Sequence, residues 1–123
     1  MTRTNTQRAA LTAIALAAIA VQASADVITD WNTKAGEIVV EAKFGTPPAN
    51  RTMAIVQTAV LEAVNAAARR QPGRAEAVEA AVAAANRSTM LKLMPAQEAS
   101  IHAAYTAALA KIAARRIGAG PAA

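Results

Sequence analysis

The chain has 123 residues, enough for one domain, and 54% of them are hydrophobic while only 2% are aromatic, so most of its apolar content is alanine. It has no cysteine and one histidine, which excludes disulfide stapling, thiolate chemistry and any metal site built from several His or Cys ligands. Its formal net charge is +5.

Residues 1–25 stand apart from the rest. Arg3 and Arg8 precede an apolar run from Ala9 to Val21 that ends at Ala23-Ser24-Ala25. A positive start, a short apolar stretch and an A-x-A site predict a secretory signal cleaved after Ala25, hence a periplasmic or secreted protein. The run is short and alanine-rich for a membrane span, so no stable span is expected after cleavage, and an uncleaved inner-membrane tether is the lesser alternative. Loss of Arg3 and Arg8 lowers the net charge to +3. The remaining arginines cluster at Arg69, Arg70 and Arg74 and at Arg115 and Arg116, near expected helix ends where cations complement the helix dipole. No nucleic-acid partner is expected, because no dense basic face with interleaved readers is present.

From Asp30 to Phe44, the residues Trp31, Ala35, Ile38, Val39 and Ala42 recur with helical spacing. Asp30 is the expected N-cap and Gly45 the stop. Thr46-Pro47-Pro48 then predicts a second N-cap with prolines in the first turn, where a missing N–H costs nothing. This second helix runs to about Arg70 on a stripe of Met53, Val56, Val60, Val64 and Ala67, widened by Ile55, Ala59 and Leu61.

Gln71-Pro72-Gly73 breaks the pattern. A third helix is predicted from about Arg74 to Leu93 with Val78, Val82, Ala85 and Leu93 inward; its polar middle, Asn86-Arg87-Ser88-Thr89, should fray or bend. Pro95 opens a fourth helix with Ile101, Tyr105, Leu109 and Ile112 inward, and Met94 pins its entry. Gly118, Gly120 and Pro121 end the order. The prediction is therefore an all-α fold of about four amphipathic, alanine-rich antiparallel helices in an open bundle over 26–117, after the signal and before a disordered tail at 118–123. Alanine contributes little buried area per side chain, so such a bundle needs close helix approach or a partner.

Trp31-Asn32, Thr46-Pro47-Pro48, Arg51, the run Met53 to Ala66 with Glu62-Ala63-Val64-Asn65-Ala66 in it, Glu76 to Ala85 and Pro95-Ala96-Gln97 follow one another behind the signal. In order and spacing they resemble the N-terminal helical region of the vanadium-dependent haloperoxidases and the related type 2 phosphatidic acid phosphatase-like acid phosphatases. Gln57, Leu61 and Glu62 stand where that family often carries His, Tyr and Asp. The resemblance implies a helical scaffold from a family that oxidises halides or hydrolyses phosphate esters. Vanadate or phosphate would be held in a full-length relative by a Lys/Arg motif, a Ser-Gly-His motif and a later Arg/His motif. The only histidine here, His102, lies in Ser100-Ile101-His102 without the glycine, so no catalytic, cofactor-binding or metal-binding residue is assigned, and a scaffold that lacks the family's chemistry is expected.

Single residues are read in the same way. His102 is expected on a helix flank and Trp31 as a core anchor. Glu37 with Glu41, and Glu76 with Glu79, share helix faces but lie beside Lys34, Lys43 and Arg74, so solvated charge pairing is expected rather than acid–base work. Asn65 either bonds to a neighbouring helix or faces water. The leading expectation is an exported helical segment that packs against a missing C-terminal catalytic bundle. The alternative is a self-contained periplasmic helical interaction module, and self-association into a homo-oligomer is open to both. The two differ physically: a stranded shell exposes a contiguous apolar patch, whereas a self-contained bundle buries its stripes.

Overall fold

In a computed structural model that describes residues 26–118, the protein is all-α, with no strand among those residues. Helix α1 covers 26–41, α2 Thr46–Arg70, α3 Ala75–Leu93, and α4 Glu98–Gly118, the last preceded by a 3₁₀ turn at Pro95–Gln97. The expected signal and the residues 119–123 of the expected tail lie outside the described residues.

Short connections at 42–45 and 71–74 leave consecutive helices no option but to fold back on one another. Side-chain contacts fix the pairing. Gln57 of α2 donates to Asn32 of α1, and Arg87 and Arg115 join α3 to α4 through His102 and Glu79. Helix α4 also runs antiparallel to α1, since Ser100 near its start meets Glu41 and Lys111 further on meets Asp30.

The apolar stripes meet in one core: Trp31, Ala35, Ile38 and Val39 from α1, Val56 and Val60 from α2, Val82, Ala83 and Met90 from α3, Met94, and Ile101 from α4. Met94 packs inward as expected, immediately before the proline that redirects the chain.

Several local expectations need correction. Asp30 is no N-cap, because Val27 and Ile28 extend the α1 stripe by a turn and pack against the core, so the helix already runs through residue 26. Thr46 lies inside α2, whose N-cap is Gly45 with extended backbone and no side-chain cap bond. The turn residue with a left-handed backbone is Lys43, at φ 56°, and Gly45 is two residues late for that role. On α2 the inward positions are Thr52, Val56 and Val60, four apart, which turns Ile55 and Leu61 outward. Helix α3 is continuous through Asn86–Thr89. There the Asn86 amide donates to the Val82 carbonyl at 2.9 Å and the Ser88 hydroxyl to the Ala85 carbonyl at 3.4 Å, so both side chains bond back onto their own helix and leave its ladder intact. Pro95 opens a 3₁₀ turn, closed by Gln97 N–H on the Met94 carbonyl, and α4 starts three residues later at Glu98.

Burial along the expected inward stripe of α4 is uneven. Ile101 is fully buried, Tyr105 and Ile112 are half-buried, and Leu109 is exposed.

Candidate binding grooves

One groove, of about 690 Å³, lies between the first described turns of α1 and the second half of α4. Trp31 and Glu79 lie at its floor, Ala104, Ala107 and Ala108 form one wall, and Val27, Asp30 and Lys34 stand on the other.

Its charges are largely compensated from within. Lys34 pairs with Glu37, Lys111 approaches Asp30 at 3.7 Å, and Arg115 holds Glu79 through both Nη atoms. Glu79 is the residue that sequence reasoning placed wrongly. Its side chain is 4% exposed and its partner is Arg115 of α4, so it is neither solvated nor paired with Arg74. The signal was its spacing: Glu79, Val82, Asn86 and Met90 recur at three, four and four, the inward stripe of α3. The other carboxylates are surface groups. Glu76 meets Arg116 at 3.5 Å, and Glu41 accepts the Ser100 hydroxyl at 2.8 Å. These contacts hold both expected carboxylate pairs in structural ion pairs and hydrogen bonds, with their members directed to different partners.

The second groove, of about 520 Å³, runs between the second half of α2 and α3. Ala63, Ala66 and Ala67 face Ala77, Ala81 and Ala84 across it, with Arg70 toward the hairpin end and Arg87 beside Tyr105 further along α3. Arg87 Nε donates to His102 Nδ1 at 3.4 Å, and its guanidinium carbon sits 5.1 Å from the centre of the Tyr105 ring. His102 Nε2 lies 3.4 Å from Glu98 Oε1 on the same helix. The histidine is thus a half-buried link on the flank of α4. Asn65 faces water.

Among the described residues no group of three or more His, Cys, Asp or Glu side chains is placed to hold a metal ion, and no helix is long and apolar enough to cross a membrane. Compared with known proteins, the chain matches no family model, no curated protein and no solved structure.

Proposed function

We propose that this chain is an exported, self-contained helical interaction module. One observation carries the reading: the largest inward side chains of all four helices, among them Ile38, Val56, Val82, Met90 and Ile101, bury against one another in a single cluster. The most exposed large apolar residues, Val40, Leu61 and Ile117, lie singly on three different helices. A shell stripped of its partner would instead present a contiguous apolar face of several hundred Å². Export is supported by the arginine-led apolar run and the Ala23-Ser24-Ala25 site. The module binds through grooves lined by alanine, and we read the bundle as open along the α1–α4 seam.

A second reading keeps the family resemblance: the bundle as the helical scaffold of a haloperoxidase-like or acid-phosphatase-like enzyme, inactive alone, with vanadate or phosphate bound by other parts of a longer protein. The α1–α4 groove favours it, since Trp31, Ala104 and Ile112 would receive a further helix there.

Purified exported protein separates the two. The module reading expects cooperative thermal unfolding, one sedimenting species and no enhancement of a hydrophobic-dye signal below the melting transition. Strong dye binding in the folded state with progressive aggregation would overturn it and favour the stranded scaffold. The only tryptophan, Trp31, adds a reporter, because its emission shifts if an added partner fills the α1–α4 groove.

A further inference from the structure

We propose that the groove between α2 and α3 docks an acidic helix of a partner protein. The inference rests on the interaction-module reading and names its surface and the chemistry of its partner.

Charge gives the sign. The titratable cations lining this groove are Arg70 and Arg87, and no carboxylate lines it. Arg87 donates to His102 Nδ1 and sits over the Tyr105 ring, contacts that orient its guanidinium, while Glu98 reaches the far nitrogen of His102 and not the arginine itself. Among the described residues Arg70 makes no ion pair, and the carboxylates nearest along α3 are engaged on the α4 side, Glu76 with Arg116 and Glu79 with Arg115. The α1–α4 groove offers the contrast, because its acids and bases largely satisfy one another.

Shape gives the class. The floor consists of methyl groups on two helices, which lets a third helix approach at the short end of the usual 8–10 Å axial separation. Arg70 closes α2 and Ala77 lies near the start of α3, with Arg87 ten residues beyond Ala77, an axial rise of about 15 Å along α3 at 1.5 Å per residue. On a docked helix, side chains eleven positions apart return to the same face at about that separation. A partner helix with small residues on one face and carboxylates three turns apart therefore satisfies both ends at once.

The test uses the exported protein and fluorescein-labelled, alanine-rich helical peptides of roughly 16 residues, long enough to span three turns. One peptide carries two glutamates eleven positions apart, a second the same glutamates four apart, and a third glutamine in their place. Anisotropy titration should give the first peptide a Kd at least about tenfold below the other two, with the advantage shrinking as salt rises. Arg70→Gln and Arg87→Gln should each remove most of that advantage, whereas Arg69→Gln should leave it. Since Arg87 also ties α3 to α4, the exposed Arg70 carries the decision if Arg87→Gln unsettles the fold. Equal binding of all three peptides, or none at millimolar concentration by a cooperatively folded protein, would overturn this inference and leave the module reading standing. Binding to anionic phospholipid vesicles with no peptide preference would also overturn it, pointing to a membrane surface instead. A protein that fails to fold as a discrete species overturns both.

Discussion

Arg115 meets Glu79 with both ends of its guanidinium, Nη1 on Oε1 at 2.7 Å and Nη2 on Oε2 at 2.5 Å, across 36 residues of chain. The arginine is half exposed and the carboxylate almost wholly buried. The pair therefore acts as a clasp: it lets a charge occupy the inward stripe of α3 and holds α4 where its apolar contacts thin out. Arg115→Ala should destabilise the bundle by about 2–3 kcal/mol, below the 3–5 typical of a fully buried pair because water reaches the arginine side. Replacing both residues with methionine should restore stability to within about 1 kcal/mol of the parent, since the cost lies in stranding one charge. Urea unfolding of the three proteins measures this. A loss below roughly 0.5 kcal/mol for Arg115→Ala would mean that the clasp contributes nothing beyond an ordinary surface pair.

The residues that were legible in the sequence and those that were not differ in kind. Trp31, Ile38, Val56, Val82 and Ile101 combined apolar type with helical spacing, and all are buried. Glu79, Asn86 and Thr52 share that spacing but are polar, so their chemistry argued for the surface while their position argued for the core, and position won because each had somewhere to place its polar atoms or a neighbour to meet them. The grooves were illegible for another reason. Alanine faces every side of these helices, so no pattern marks which alanines line a gap, and the hairpin packing alone decides that Ala63 and Ala84 line the groove while Ala83 enters the core. Arg70 reads in sequence as a helix-end cation and Arg87 as part of a polar stretch, since nothing in their local pattern shows that both line one groove.

Asn86 is 2% exposed, and its amide is spent on the carbonyl one turn earlier in its own helix. Among the described residues it makes no bond to another helix that would specify packing, so an apolar residue of similar size should serve almost as well. Asn86→Leu is expected to change stability by no more than about 1 kcal/mol in either direction, because the Val82 carbonyl already has its place in the helical ladder. Asn86→Asp puts a carboxylate against that same carbonyl in a dry site and should cost on the order of 3 kcal/mol. Chemical denaturation of both variants decides the matter. A large loss for Asn86→Leu would reveal a structural bond that the amide makes beyond Val82.

The α1–α2 turn places its residues in a suboptimal order. Lys43 holds the left-handed backbone that glycine adopts without strain, while Gly45 occupies an N-cap position with ordinary φ and no side chain to cap α2. A side chain added at Gly45 meets nothing within 4 Å. Lys43→Gly should stabilise by about 0.5–1 kcal/mol through relief of the left-handed strain, and Gly45→Asp by less, about 0.3–0.5 kcal/mol, through a favourable charge at the helix start alone, because Pro47 and Pro48 at the second and third helical positions offer no N–H to a capping side chain. The positions are close, so their sum is a weaker expectation than either alone. Thermal melts of the single variants suffice: a lower melting temperature for Lys43→Gly would show that the lysine does not hold the left-handed conformation in solution.

Ile101 and Leu109 stand eight positions apart on α4, and both belong to the stripe expected to face inward. Ile101 is fully buried in the core cluster, whereas Leu109 is 38% exposed. Truncation should report that difference directly. Ile101→Ala leaves a cavity that packed helices close only in part, so about 2–4 kcal/mol should be lost. Leu109→Ala removes contacts on one side only, and its cost should stay below about 1 kcal/mol. Urea unfolding of the two variants measures the contrast, and equal losses would mean that Leu109 is packed in solution as closely as Ile101.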